Sequence, residues 1–430
     1  MKRFLSLLVL TVMLVMTAFP VCGADTASRL PAASGFTVDG DTLYIADSYN
    51  RAVWKMEDGV TELLAGQTEL TDLSGQPAAG YRDGSFTQAA FDSPWAAVPY
   101  EDGLLVSDSG NHVLRYLDLN RKRVYTAAGT GEAGYRDGSS RVAFDTPTGL
   151  AVDDDGTVYI ADTGNNVIRA MDSDGNVTTY AGGEEGCSLG TLKQARFSQP
   201  TGLCYADGVL YVADSGNHRI VAIENGMVTL VAGAQLTGDA AVEGDYLDGK
   251  AAEACFANPQ GIAVDDDGTV YVADTGNSAV RVIRDGFVVT LVSGEEEIRC
   301  VSPRGLLVQG DTLLMGDVFT NTMVSYDIRQ LTKGWKKVGN NWYYLDSNGS
   351  ALSGWLQDGT HWYYLNADGV MQTGWRQIDG EWYYLKGSGA MATGWLEWKD
   401  EWYYLYPSGR MAVSTTIDGY TVDADGVWVP

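Results

Sequence analysis

The chain has 430 residues, with 29 Lys and Arg against 56 Asp and Glu, and its formal net charge is −27. Binding to a phosphate backbone requires a basic surface, so this charge argues against a nucleic-acid partner. The acidic residues are spread through turn motifs rather than gathered in a tail, which indicates a solvated acidic surface.

The N-terminus has the pattern of a secretory signal peptide. Lys2 and Arg3 precede an apolar run over residues 4–21, and the Gly-Ala pair at 23–24 offers a small-residue cleavage site. A single membrane anchor is the less favoured alternative, because the run is short and lacks a basic flank after it. We therefore predict a signal peptide over residues 1–24 and no transmembrane anchor after its removal.

Four cysteines follow the predicted signal peptide: Cys187, Cys204, Cys255 and Cys300. An even number in an exported chain permits two disulfides. A large repeated core does not need such links, however, and Cys204 stands in an apolar strand pattern that suits a buried free thiol. The sequence leaves the disulfide state open.

Most of the chain before residue 330 repeats one unit, whose clearest copy runs from Gly149 to Gly183. It predicts four short strands separated by turns rich in Gly, Asn and Asp. The Asp that ends the second strand recurs 43 to 61 residues apart, near the period of a four-stranded propeller blade. The six copies are Asp47, Asp108, Asp162, Asp214, Asp274 and Asp317. Four of them are followed by Ser or Thr, then Gly and Asn.

At these residues the chain closely resembles the NHL-repeat family, whose units form six-bladed β-propellers. The resemblance covers about residues 31–330, and it implies an all-β six-bladed propeller domain over residues 25–330. The sixth blade looks degenerate, because Asp317 lacks the Gly-Asn turn and the blade stops after a third strand near Ile328. Propellers of this family often close with an N-terminal strand, for which residues 25–30 are a weak candidate.

The loops between blades carry a second pattern, in which Gly-Tyr-Arg-Asp-Gly is followed by Ala-Phe. The clearest copies begin at Gly80 and Gly134 and lead to Phe91 and Phe144. These loops join an outer strand to the next inner strand, so we expect them to gather on one face around the central channel, where propellers bind ligands. Two interpretations stay open. The favoured one has Phe plugging the gap between blades, and the other has the loops binding a ligand.

Residues suited to catalysis or metal binding are few in the propeller. His112 and His218 follow the blade turn where other blades have Asn or Ser, which favours a simple turn role. The Asp-Asp-Asp-Gly stretches at 153–156 and 265–268 lack the later ligands of a calcium loop. We predict no catalytic residue, no metal and no cofactor.

From Gly334 onward the composition changes, since ten of the twelve Trp lie beyond this point. Gly-Trp recurs with a period of 20 residues, and each copy is followed by Trp-Tyr-Tyr-Leu. Each unit predicts a β-hairpin. A hairpin of this length cannot bury its aromatic surface alone, so the units are expected to stack as a solenoid.

At these residues the tail closely resembles the choline-binding, or cell-wall-binding, repeats of Gram-positive surface proteins, and we assign residues 331–430 to this domain. A choline site of that family takes two Trp from one repeat and an aromatic residue from the next. Carried over by position, the resemblance implies three sites: Trp335, Trp342 and Tyr364; Trp355, Trp362 and Tyr384; Trp375, Trp382 and Tyr404.

The choice of the second Tyr in each site is a guess from the alternation of side chains along a strand. A fourth site looks broken, because Gly419 and Thr421 stand where the Trp and that Tyr would be. The alternative readings of the tail are a purely structural aromatic spine, or binding to a wall polymer that lacks choline.

The sequence thus predicts a secreted surface protein of a Gram-positive-type bacterium. Its tail would hold it non-covalently to choline-containing teichoic or lipoteichoic acid, while the propeller binds a protein, glycan or small-molecule ligand. The alternative is a propeller enzyme, of lyase or lactonase type or a wall-remodelling factor, localised by the same tail.

Overall fold

The computed structural model describes residues 31–69, 71–72, 75, 77–234, 244–293, 300–328, 334–338, 341–346 and 350–429. The chain divides into two compact units, Met1–Asp327 and Ile328–Pro430. The predicted signal peptide and the candidate closing strand at 25–30 both lie outside the described residues. Within the described part, no helix has the length and apolar character needed to cross a membrane.

The first unit is a six-bladed antiparallel β-propeller, which confirms the predicted fold class. Blade one holds β1 to β4, at Ala33–Asp39, Thr42–Asp47, Ala52–Glu57 and Val60–Gly66. Blade two holds β5 to β9, at Gly84–Ser85, Pro94–Tyr100, Gly103–Asp108, Val113–Asp118 and Arg123–Ala128. Blade three holds β10 to β13, at Pro147–Val152, Val158–Asp162, Val167–Met171 and Val177–Gly182.

The remaining blades follow the same order. Blade four holds β14 to β18, at Gly190–Thr191, Pro200–Ala206, Val209–Asp214, Arg219–Glu224 and Met227–Ala232. Blade five holds β19 to β23, at Gly249–Lys250, Pro259–Val264, Val270–Asp274, Ala279–Arg284 and Phe287–Ser293. Within the described residues, blade six holds three strands, β24 to β26, at Pro303–Gln309, Thr312–Asp317 and Thr322–Asp327.

The innermost strand of each blade borders a central channel and packs against the innermost strands of both neighbouring blades. The ring closes where β24 of blade six packs on β1 of blade one. Glycine makes this closure possible, because a Cβ atom on Gly316 would collide with the backbone of Ala33. The described residues therefore close the ring by packing of inner strands.

In blades two to five, the Ser or Thr after the strand-ending Asp links its blade to the next one. In four blades this residue begins a short 3-10 turn: Ser109–Asn111, Thr163–Asn165, Ser215–Asn217 and Thr275–Asn277. Thr163 donates a hydrogen bond of 2.7 Å to the carbonyl of Pro200, which begins the inner strand of blade four. The three equivalent hydroxyls bond the next blade's Pro in the same way. The recurrent motif is therefore a contact between blades.

In blades two to five, the strand-ending Asp is the buried counter-ion of an Arg. In blade three, Asp162 accepts a hydrogen bond of 2.6 Å from Arg169, and both side chains are fully buried. The same guanidinium contacts Asp137 of the preceding loop at 2.6 Å. It lies between the rings of Tyr135 and Phe144, with its central carbon 5.1 and 5.3 Å from their centroids. Blades two and five repeat this arrangement around Arg115 and Arg281.

The loops between blades do not gather around the channel, and this part of the sequence interpretation is wrong. Gly84–Ser85 pairs with the outermost strand of blade two, far along the sheet from its inner strand. Asp83 fixes the loop there, because its carboxylate accepts hydrogen bonds from the Thr126 amide at 3.1 Å and from buried Arg115 at 2.9 Å. Phe91 is buried between blades, so the favoured plug interpretation is confirmed.

The second unit consists of β-hairpins. Their strands are β27 to β34, at Gly334–Val338, Asn341–Leu345, Gly354–Asp358, His361–Leu365, Gly374–Ile378, Glu381–Leu385, Gly394–Trp398 and Glu401–Leu405. A final three-stranded sheet holds β35 to β37, at Thr415–Ile417, Tyr420–Val422 and Trp428–Val429. Successive hairpins are joined by backbone hydrogen bonds, such as the 2.7 Å bond from the Met371 amide to the Trp342 carbonyl.

Candidate functional site

The register of each tail hairpin decides which aromatic side chains share a face. In the second hairpin, Trp355 lies opposite Tyr364, and Gln357 lies opposite Trp362. Side chains alternate along a strand, so Trp355, Trp362 and Tyr364 point to the same side of the hairpin. Tyr363 points to the other side, toward a different neighbour.

From the second repeat to the fourth, the first Tyr contacts the Gly-Trp tryptophan of the preceding repeat. The ring centroids of Trp335 and Tyr363 are 4.7 Å apart, in an edge-to-face arrangement. The next two repeats show the same contact, Trp355 with Tyr383 at 4.9 Å and Trp375 with Tyr403 at 5.1 Å.

The second Tyr of each repeat, which the sequence interpretation placed in the sites, packs on the Trp of its own hairpin instead. The three pairs are Trp355 with Tyr364, Trp375 with Tyr384, and Trp395 with Tyr404, each at 5.2 Å. The structure therefore brings the first Tyr, and not the second, against the preceding repeat. Alternation alone could not reveal this, because it separates two faces without saying which face meets which neighbour.

The paired Trp of each predicted set lie on one face of their hairpin. Trp375 and Trp382 are in ring contact, with centroids 6.4 Å apart. The second Trp of every repeat keeps about 40% of its surface exposed: Trp342, Trp362, Trp382 and Trp402. Each aromatic group therefore has an open side that a ligand can reach.

A fourth aromatic group forms at the end of the tail. Tyr420 contacts Trp395 edge to face, with centroids 5.6 Å apart. Tyr420 occupies the position of Tyr403 in the preceding repeat, so the residues that looked missing at 419 and 421 are not the ones that face Trp395. Together with half-exposed Trp402, this repeat also presents three aromatic side chains.

The aromatic groups differ in how their Trp nitrogens are bonded. Trp335 Nε1 donates a 2.9 Å hydrogen bond to Asp358 of the next hairpin. The same position holds Ile378 and Trp398 in the following hairpins. Trp375 Nε1 is buried and has no hydrogen-bond partner within the described residues, while its ring packs against Trp398 at 6.3 Å. The first group thus contains a carboxylate, and the third is more apolar.

The two His of the propeller perform the turn role that the sequence indicated. Both follow a 3-10 turn with left-handed backbone, at φ values of 55° and 53°. His112 Nδ1 accepts a hydrogen bond from the Thr146 amide at 3.0 Å, and His218 Nδ1 accepts one from the Asn258 amide at 2.9 Å. Asn166 makes the equivalent bond in blade three. Both His side chains therefore tie a blade to the loop after it.

The acidic turns are also used internally. Asp153 Oδ1 accepts hydrogen bonds from the amides of Asp155 and Thr157, which closes the turn, and Asp265 does the same. Among the described residues, no cluster of three His, Cys, Asp or Glu side chains is placed to hold a metal ion. The four Cys left open by the sequence are all free thiols: Cys187, Cys204, Cys255 and Cys300.

The mouth of the propeller channel is a site that sequence reasoning missed. Each inner strand contributes the residue after its first position, and together these residues form a ring: Ser34, Trp95, Thr148, Thr201, Gln260 and Arg304. The available signal was the Pro that begins five of these strands. Aligning the blades on that Pro places Trp and Arg at one position where two siblings have Thr.

Comparison with known families supports both parts of the chain. The choline-binding repeat model matches residues 332–373 and 372–415. The NHL repeat model matches residues 144–177, 197–223 and 256–283. The chain carries NHL repeats followed by choline-binding repeats. The recognition made from the sequence is thereby confirmed.

Individual relatives cover only parts of the chain. Protein SUPPRESSOR OF QUENCHING 1, chloroplastic, from Arabidopsis thaliana is 28% identical over 305 residues, which are 65% of this chain and 27% of that protein. The crystal structure of the choline binding domain of Spr1274 from Streptococcus pneumoniae is 46% identical, over 18% of this chain and 96% of that one, with a TM-score of 0.18. An auxiliary nutrient binding protein from Bacteroides thetaiotaomicron shares the fold at 12% identity, covering 69% of each chain with a TM-score of 0.50.

Proposed function

We propose that the tail of this protein binds choline groups of a cell-wall polymer and holds the propeller at the surface of the cell. The observation that carries this proposal is the aromatic group repeated in four successive hairpins. Each group has two Trp on one hairpin face, a Tyr from the next element against the first Trp, and an open side. A quaternary ammonium against such rings gains about 0.5–2 kcal/mol per contact.

The proposed sites keep the predicted Trp pairs and take the Tyr that contacts them. They are Trp335, Trp342 and Tyr363; Trp355, Trp362 and Tyr383; Trp375, Trp382 and Tyr403; and Trp395, Trp402 and Tyr420. A polymer that presents choline many times would engage several sites at once. Such linkage raises avidity by about 10²–10⁴ without any new contact.

This function places the protein outside the cell, which agrees with the predicted signal peptide over residues 1–24. The proposed partner is choline-containing teichoic or lipoteichoic acid. Residues 25–330 would form a separately folded propeller that the tail displays, and residues 331–430 would form the wall-binding domain.

Two adjacent Tyr provide a matched test. Tyr383 contacts Trp355 of the preceding hairpin, whereas Tyr384 contacts Trp375 of its own. Tyr383→Ala should weaken choline at the second site by about 2- to 30-fold, the equivalent of one lost cation–π contact. Tyr384→Ala should weaken it less. The measurement is a choline titration followed by tail Trp fluorescence.

Retention on choline-bearing walls tests the avidity. Single replacements should reduce retention modestly, whereas Trp355→Ala combined with Trp375→Ala should nearly abolish it. Free choline should release the bound protein, and ethanolamine should do so poorly, because a primary ammonium is better hydrated. If choline changes neither tail fluorescence nor wall retention, the aromatic groups are only a structural spine and the proposal fails.

A further inference from the structure

The propeller channel contains a cavity of about 280 Å³ lined by the inner strands of all six blades. Five of the six blades have Gly immediately inside the mouth ring, at 35, 149, 202, 261 and 305. A Cβ atom on Gly261 would collide with the carbonyl of Arg304, so these strands approach each other closely. Apolar side chains such as Phe36, Leu150 and Leu203 line the cavity beyond the mouth.

Two Thr of the mouth ring use their hydroxyl groups in hydrogen bonds within the propeller. Thr148 Oγ1 bonds the Thr163 hydroxyl at 2.6 Å, and Thr201 Oγ1 bonds the Ser215 hydroxyl at 2.5 Å. Both hydroxyl groups also contact backbone carbonyls of the next blade. The polar side chains that remain available to a ligand therefore lie on the opposite side of the ring.

Arg304 occupies that side and reaches three other blades. Its Nε donates to Gln260 Oε1 at 2.8 Å, and its Nη1 donates to Ser48 Oγ at 3.3 Å. The guanidinium lies over the Trp95 ring, 4.2 Å from the centroid. Its other nitrogen, Nη2, makes no hydrogen bond within the described part of the chain, and a guanidinium has five N–H groups to place.

Within the described residues, partly buried Arg304 also lacks the counter-charge that the fully buried Arg side chains possess. Arg115, Arg169, Arg219 and Arg281 each contact the strand-ending Asp of their blade at 2.6 to 2.8 Å. Burial alone lowers the pKa of Arg304 to about 10, and no carboxylate of the described residues opposes this shift. Removing a charge from water without a counter-ion is costly, so packing alone does not account for an Arg at this position.

We propose that the channel mouth binds the carboxylate of a small organic acid, with the carboxylate on Arg304 and the apolar body against Trp95 and the cavity wall. Arg presents its donors in a planar fork that matches a carboxylate. The Trp95 ring borders that fork, and apolar side chains such as Phe36, Leu150 and Leu203 line the cavity beyond it. This site is separate from the aromatic groups of the tail and does not depend on them.

Benzoate is a suitable probe, because it joins a carboxylate to a flat apolar ring. Calorimetric titration of the full chain should show one benzoate site, whereas benzamide, which has the same shape without the charge, should not bind. Arg304→Gln should weaken benzoate at least about tenfold, since a hydrogen bond to a charged group is lost. Trp95→Leu should weaken benzoate and leave the weaker binding of acetate unchanged.

The matched control is Arg121→Gln, because Arg121 also pairs through its guanidinium but is largely exposed. It should leave benzoate affinity unchanged. Arg304→Lys keeps the charge without the fork, so it should bind benzoate more weakly than the wild type and more tightly than Arg304→Gln. The thermal midpoint of the propeller reports whether Arg304→Gln folds. If it does not fold, Arg304→Lys provides the test.

Three outcomes overturn the proposal: a wild-type chain that binds neither benzoate nor acetate, equal binding of benzamide and benzoate, or undiminished benzoate binding by folded Arg304→Gln. Saturating choline should leave benzoate affinity unchanged. Failure at this site would therefore leave the proposed wall binding intact, and failure of choline binding would leave this site intact.

Discussion

Replacing Arg169 by Met should strongly destabilise blade three. The Arg169 side chain is fully buried and donates to Asp162 and Asp137 at 2.6 Å each. It also donates to the carbonyls of Arg136 at 2.9 Å and Ala143 at 3.3 Å. Met fills much of the same volume but offers none of these donors.

The magnitude follows from what the change leaves behind. Among its bonds to described residues, Asp162 would keep the 2.9 Å bond from Asn165 Nδ2 and the 2.7 Å bond from the Asp145 amide. Its carboxylate would then be buried without a cation. Removing one partner of a buried pair costs about 3–5 kcal/mol, because an uncompensated charge remains inside the protein.

Hydrogen exchange read by mass spectrometry gives the local free energy of opening. Peptides that cover β12 should lose about 3–5 kcal/mol of protection in Arg169→Met. Adding Asp162→Asn should restore part of the loss, because the amide carries no charge.

The control is Arg121→Met, which breaks a pair of the same two residue types. Arg121 contacts Asp118 at 2.7 Å, and Asp118 is buried, but the Arg121 side chain is 76% exposed. Solvent screens this pair from the Arg121 side, so the loss should be smaller than in Arg169→Met. Equal losses for buried Arg169 and exposed Arg121 would refute the reasoning from burial.

Two further predictions concern other blades. Burial raises the pKa of Asp47, which has no Arg partner among the described residues, to about 6. Its stabilising contribution is full below about pH 4 and is lost as pH rises through 6. Relative to the wild type, Asp47→Asn should therefore gain up to about 3 kcal/mol between pH 4 and pH 7, measured by denaturant unfolding. An unchanged difference across that range would contradict the assigned pKa. In blade six, β26 is less buried than β12 of blade three and should exchange its amide hydrogens faster. Equal protection of the two strands would mean that blade six is not the less stable blade.

The sequence by itself determined the repeat architecture. The strand-ending Asp with its Ser/Thr-Gly-Asn turn identified the blades, and the 20-residue Gly-Trp period identified the hairpins. These features are local, since turn residues and the alternation of side chains act within a few positions of the chain. The same local patterns correctly predicted that His112 and His218 are turn residues.

Only the tertiary structure decided which groups meet across repeats. Alternation separated Tyr363 from Tyr364, but the stacking of hairpins selected the first as the neighbour of Trp335. The inter-blade loops are held at the outer strand by a hydrogen bond from a buried guanidinium, as Asp83 is held by Arg115. The order of residues in the chain does not specify this contact. Arg304 and Trp95 are 209 residues apart in the chain, and they meet because closing the propeller ring brings their inner strands to one channel mouth.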